Sequence, residues 1–274
     1  MRTRRKTRVA RLFPAYAQLI RAELGLVLVY RIRLILSVLT FVFPLVMMAA
    51  WMAVVDEEGE AAAWGSADVV SYYLVATVVY QLTSAWVVSR WDDEIRTGAL
   101  STKLLKPLNP VHHLLAAQLS SKVFLLVFMV PVMTAAVLIT RVQLRPPSFA
   151  MAMAAAGSLL VGFVLNLSMN LAFAMLSFWT TRATTLFVAW SGLGQLFSGF
   201  VAPLPLLPGG LRRVASLLPF WGTLGLPVEI FSAKLGWEEI GAGMITSMAW
   251  TAVFLTICRA LWRTGLRRYE GVGG

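Results

Sequence analysis

An all-α, polytopic membrane protein is what this sequence predicts, on three observations. Of 274 residues, 58% are hydrophobic and 14% charged, and the mean hydropathy is +0.74, a balance that soluble domains rarely carry. Apolar runs of about 20 residues, long enough to cross roughly 30 Å of hydrocarbon, recur along the chain. The strict apolar/polar alternation over about ten residues that marks an outer-membrane barrel is absent, which leaves helices as the elements able to satisfy their own backbone in lipid.

The first 33 residues are expected to form a basic tail and an interfacial helix. "MRTRRKTRVAR" is dense in Arg, and Leu12, Tyr16, Leu19, Glu23 and Val27 follow at helical spacing. Arg21, Arg31 and Arg33 suit anionic headgroups at a membrane surface, and they serve equally as a topology anchor. No small-residue cleavage site follows the first apolar run, so the segment is expected to stay on the protein rather than act as a signal peptide.

Six runs then qualify as spans: Leu34 to Val55, Val69 to Val88, Leu114 to Ile139, Phe149 to Trp179, Ala183 to Ala202 and Ile240 to Trp262. They make one transmembrane domain over 1–274, with a six-span core at 34–262 and a tail at 263–274. Lys and Arg are retained on the cytoplasmic side. The link "DEEGEAAAWGSAD" has neither and is expected outside, whereas Arg90, Arg96, Lys103, Lys106 and the tail residues Arg259, Arg263, Arg267 and Arg268 are expected inside. Arg141, Arg145, Arg212, Arg213 and Lys234 fall on the outer side against the trend. Both termini are then cytoplasmic in a multi-pass protein of the cell (inner) membrane.

Several functions are disfavoured. The pI near 10.5 comes from basic residues spread over loops beside spans, not clustered on one face with aromatics, so nucleic acid is not an expected partner and the lipid bilayer is. Cys258 is the single cysteine and forms no intrachain disulfide. No "GxxxxGK[ST]", "HExxH" or cysteine cluster is present. Adjacent His112 and His113 point about 100° apart on a helix, which does not suit chelation of one ion, so no catalytic residue and no metal ligand is assigned.

One polar stretch interrupts the apolar pattern, "DDEIRTGALSTKLLKPLNPVHH" at 92–113. Asp92, Asp93 and Glu94 are expected at the start of a short helix, where acids complement the positive end, with Pro107 and Pro110 stopping it. Ile95, Leu100, Leu104 and Leu105 supply apolar groups, Arg96 a charge, and Gly98 room for a bend. An exposed knob and an amphipathic turn resting on headgroups both fit these residues.

The run "DDEIRTGALSTKLLKPLNP" resembles the loop between spans two and three of type-2 ABC exporter permeases. "VAPLPLLPGGLRRVASLLPFWGTLGLPVEIF" and the terminal "LWRTGLRRYEGVGG" are similar to that subgroup's proline-rich external hairpin, Leu-Pro-Phe element and basic Tyr-containing tail. "EEIGAGMITSMAW" departs from it, with no Gln four residues before Trp250. The resemblance implies that Asp92, Asp93, Glu94, Ile95, Arg96, Gly98, Leu100, Leu104, Leu105 and Pro107 form a coupling helix seated on separate ABC ATPase subunits. ATP and magnesium would be held there, with no cofactor in this chain. It also implies a second permease subunit, identical or related, completing the path.

On that resemblance, Pro203, Pro205, Pro208 and Gly209-Gly210 break the fifth span, and Leu211 to Phe220 form a short helix in a re-entrant hairpin over the exit; a surface helix in an ordinary loop is the alternative. Asn166 and Asn170 share a face of the fourth span, and Thr77, Gln81 and Ser84 make a stripe in the second. These five either line a translocation path or hydrogen-bond neighbouring helices. An ion- or proton-coupled carrier would be expected to show midplane ionisable groups and internal repeats, neither of which stands out; a non-transporting scaffold would leave the 92–110 loop unexplained.

Overall fold

The computed structural model describes residues 42–58, 64–105, 110–141 and 147–269, and all regular structure among them is helical. The interfacial helix expected within the first 33 residues, the start of the first span at Leu34, Lys106, Pro107, Arg145 and the end of the tail lie outside these residues.

Helices α1 (Val42–Glu58) and α2 (Ser66–Thr83) pack on each other across a short link. At the start of α2 the Gly65 N–H donates to the Asp68 carboxylate at 3.2 Å, which covers one of the amides a helix start leaves free. A short elbow follows, α3 (Val88–Arg96) and α4 (Ala99–Leu104). Helix α5 (Pro110–Thr140) opens on a proline, tolerated in the first turn because the missing N–H has no intrahelical partner there. Ser148 caps α6 (Phe149–Met175) by accepting from the Met151 N–H at 3.3 Å.

After α6 a tight turn over Leu176–Phe178 leads to α7 (Ala183–Phe197). The chain then folds into a hairpin containing α8 (Gly209–Leu217) and α9 (Gly225–Phe231) before entering α10 (Trp237–Arg268). Arg267 and Arg268 sit in the last turn of α10, where cations complement the negative helix end.

Helix α6 is the hub: α10 packs along it, and α2, α3, α7 and α9 also contact it. The hairpin comes close because of Gly162, where a Cβ would stand 2.7 Å from the Gly222 carbonyl oxygen. Trp91, Leu100, Leu114, Leu171 and Phe187 fill the core at the elbow end. Val69, Tyr72, Tyr73, Phe200 and Leu224 fill it at the hairpin end.

Among the described residues three helical segments are long and apolar enough to cross a membrane: Pro110–Thr140, Phe149–Phe178 and Trp237–Arg268. They coincide with the third, fourth and sixth expected spans. The second expected span is interrupted, since α2 stops at Thr83 and helix resumes only at Val88. The fifth ends early at Phe197, 15 residues after it starts, or about 22 Å at 1.5 Å per residue. Both shortfalls have one form: the chain leaves helical geometry where protein, rather than lipid, can receive its backbone groups.

Candidate functional site

The elbow begins earlier than expected. Helix α3 starts at Val88, so Asp92, Asp93 and Glu94 lie in its middle and last turns, not at its N-terminus. Asp93 and Glu94 therefore pair with bases along the elbow instead of capping it. Arg96 donates to Asp93 at 2.6 Å, Arg90 lies 3.4 Å from Glu94, and Lys103 of α4 reaches the same Glu94 carboxylate. Glu94 is buried, so this last pair ties the two short helices together in a partly desolvated setting.

Gly98 reverses the chain between α3 and α4 with φ of 74°, the left-handed region where a Cβ is strained. The bend sends Leu100 inward with Trp91, both 0% exposed, and Ile95 packs against the same cluster. Only Leu104 and Leu105 of the expected apolar knob reach the surface, Leu105 at 88% exposure. Asp93, Arg96 and Thr97 are also exposed, while Asp92 is half-buried. Pro107 lies outside the described residues. The end of α10 braces the elbow from behind: the Tyr269 and Ser101 hydroxyls lie 3.1 Å apart, and the Trp262 ring packs on Trp91 at 5.7 Å.

Between α2 and α3, side chains from two other helices take up the backbone of Ser84–Val87. The Ala85 N–H donates to the Asn166 side-chain oxygen at 3.1 Å and the Val87 N–H to that of Asn170 at 3.5 Å. Gln118 of α5 donates to the Trp86 carbonyl at 3.0 Å. Lys122 of α5 donates to the Gln81 and Ser84 carbonyls and to the Ser84 hydroxyl. A cavity of about 80 Å³ lies beside this break, with Ser84, Trp86, Asn166, Asn170, Trp190 and Phe220 on its wall. Thr77 donates back to the Tyr73 carbonyl at 2.7 Å, and Gln81 is buried within α2. The five polar residues thus divide: Ser84, Asn166 and Asn170 meet at the break and cavity, Gln81 offers its carbonyl to Lys122 there, and Thr77 bonds back within α2.

Lys122 is not among the polar residues expected at a site, although it is the one lysine inside the apolar run Leu114 to Ile139. Such a residue is a functional candidate because a charge inside a span is costly unless it faces protein or water. His112 and His113 lie in the first turn of α5, and among the described residues no group of three His, Cys, Asp or Glu is arranged to hold a metal ion.

At the other end, Glu229 of α9 is 1% exposed. Its Oε1 accepts from the Trp221 indole N–H at 3.0 Å, and Arg212 stands 4.0 Å from Oε2 and 3.8 Å from Glu239. Burial pushes the Glu229 carboxyl up to about 7, outweighing the downward pull of Trp221 and Arg212, and Glu239 adds to the rise. A cavity of about 420 Å³ beside it is lined by Arg212, Arg213, Trp221 and Glu239 among others. Tyr72 and Tyr73 of α2 donate to the Gly199 and Val201 carbonyls at 2.8 and 2.9 Å, fastening the start of the hairpin.

No curated protein matches the chain. The family described as ABC-2 family transporter protein matches residues 41–273, which takes in the elbow, the helix break and the hairpin together. The chain therefore belongs to the ABC-2 family of transporter membrane proteins, a multi-pass membrane component that fits a permease subunit.

Proposed function

We propose that the chain is the permease subunit of an ATP-driven exporter, forming half of a translocation path and receiving work from a separate ATPase through the 92–110 elbow. The observation that carries this is the elbow's construction. Trp91, Leu100 and the Glu94–Lys103 pair make it stiff, while Leu104 and Leu105 stand exposed, as do Asp93 and Arg96. An apolar tip of this kind on a braced support is suited to a socket, and burying one leucine contributes about 1.5–3 kcal/mol. Association with an ABC ATPase follows from the family, and the sequence contains no phosphate loop of its own.

On this reading of six spans, the elbow and both termini lie on the cytoplasmic side of the inner membrane and the hairpin on the outer side. Ser84, Asn166 and Asn170 face the path, and a second permease copy or homologue completes it. The test is co-purification. The wild-type chain is expected to retain its ATPase partner, and Leu105→Asp to lose most of it while still inserting, because a carboxylate in an apolar socket costs several kcal/mol unless it finds a partner. Retention of the ATPase by both Leu104→Asp and Leu105→Asp would overturn the assignment of the elbow.

Lys122 is the one observation that favours a gradient-driven carrier, since it is an ionisable group within a span. Its ammonium is already held by acceptors at the helix break. Transport by the chain alone, driven by a pH or sodium gradient, would establish the carrier instead.

A further inference from the structure

From Ser66 to Arg96 the sequence contains neither proline nor glycine. Sharp interruptions of helices arise almost always at Pro, at Gly or Ser pairs, at π-bulges, or where a side chain enters the hydrogen-bond ladder. The single Ser84 is a weak local cause, and its neighbours Ala85, Trp86, Val87 and Val88 are compatible with helix. Apart from the Thr83 hydroxyl, which donates back to the Val79 carbonyl at 2.9 Å, little in the local chemistry stops α2 at Thr83. The partners of the break do: Lys122 occupies the Gln81 and Ser84 carbonyls, oxygens that a continuous helix would offer to the amides of Ala85 and Val88. Asn166 takes the Ala85 N–H that would have answered Gln81.

We propose that Lys122 is a positioning residue that holds α2 and α3 apart, and that the Ser84–Val87 segment rewinds into one helix from Ser66 to Arg96 when Lys122 withdraws. The switch joins two parts of the molecule already described. Ser84 and Trp86 form wall of the cavity between α2, α6 and α7, and α3 carries the elbow. Ser84 is extended, with φ −59° and ψ 144°, whereas Val87 already has α-region angles; bringing the segment before Val87 into helical geometry shortens the connection by several ångströms, since the rise falls from about 3.3 to 1.5 Å per residue, and rotates α3 about its axis. Displacement of the elbow and reshaping of the cavity are then one event. This role in transport rests on the permease reading; the role of Lys122 in the break does not.

The two are separated by measuring hydrogen exchange of the 81–91 segment in the full chain in nanodiscs, and transported cargo per ATP in the complex with its ATPase. Lys122→Met, similar in length but without a donor, is expected to slow exchange of Ala85–Val88 at least about tenfold as helix replaces the break. Lys122→Arg, which keeps the charge and donors, is expected to restore the wild-type pattern. Asn166→Leu removes the acceptor for Ala85 and is expected to shift exchange in the same direction by a smaller factor, which keeps the test available if Lys122→Met does not fold. Unchanged or faster exchange in the Lys122→Met and Asn166→Leu variants would overturn the proposal. In the complex, Lys122→Met is expected to hydrolyse ATP with at least about a fivefold loss of cargo per ATP, a split that general destabilisation would not produce. If the exchange result holds and the wild-type complex shows no ATP-dependent transport, the permease reading fails while Lys122 keeps its structural assignment.

Discussion

Glu229 has one oxygen hydrogen-bonded to Trp221 and the other facing Arg212 from 4.0 Å, and its side chain is buried. The titratable and charged groups around it are Tyr72 from α2, Arg212 from α8 and Glu239 from α10. Its carboxyl is raised from 4.5 to about 7, mainly by burial. The sign follows from linkage. A folded-state value above the unfolded one favours the protonated native state, so this contribution is present in full below about 4.5 and is lost as pH rises to about 7. A shift of that size corresponds to on the order of 3 kcal/mol. Thermal unfolding in detergent should therefore show stability decreasing across that window, and Glu229→Gln should flatten the decrease. An equally steep pH profile in the glutamine variant would remove Glu229 as the cause. A second single-residue effect belongs to Gly98, held at φ 74°. Gly98→Ala should cost about 1–2 kcal/mol of strain, read as faster exchange of the 91–104 amides.

At the scale of elements, the elbow sorts its apolar residues into two mechanical classes. Leu100 is enclosed and Leu105 is open. Leu100→Ala should lower thermal stability by about 2–5 kcal/mol through the cavity it leaves, whereas Leu105→Ala should leave stability unchanged and weaken ATPase retention. Equal destabilisation by the two would contradict the packing. This division was only half legible in the sequence. The presence of an elbow could be read from its charges, Gly98 and the flanking prolines. Its direction could not, because whether Leu100 or Leu105 points inward depends on where α3 begins, and that start is set by the break at 84–87. The break in turn has only a weak local signature, since the segment contains neither proline nor glycine and the partners of its backbone sit on α5 and α6, at Gln118, Lys122, Asn166 and Asn170. By contrast α5, α6 and α10 were plain in the sequence, as length and apolarity suffice to define a helix that lipid or protein surrounds on all sides.

For the whole molecule, α10 joins the two working ends. Its first turns meet the hairpin, where a Cβ on Gly243 would stand 2.7 Å from a Leu226 methyl, and its last turns brace Trp91 and Ser101 of the elbow. Basic residues concentrate toward the elbow end, with Arg90, Arg96, Lys103, Arg182, Arg259, Arg263, Arg267 and Arg268 there against Arg141, Arg212, Arg213 and Lys234 toward the other. On the proposed reading, the positive-inside rule puts the elbow on the cytoplasmic side. In a Cys258→Ser background, an impermeant thiol reagent should label Glu58→Cys on intact cells and Arg96→Cys only after permeabilisation; the reverse pattern would invert the topology.

That orientation fixes what energy source can reach the cavity. A nucleotide can favour one state of the path only if the assembly binds it with different affinity in its two states, and the difference must enter this chain where the ATPase touches it. On the proposed reading, with the elbow cytoplasmic, that contact is at Leu104 and Leu105 and the response at Ser84–Val87. The isolated chain should neither bind nor hydrolyse ATP, while vesicles carrying the complex should transport cargo only with ATP and should be little affected by collapse of the proton gradient. The decisive comparison is the complex with Leu105→Asp. Loss of transport together with loss of ATPase retention places the transfer of work at the elbow, whereas transport that persists without nucleotide, and stops when the proton or sodium gradient is removed, would reassign the chain as a carrier.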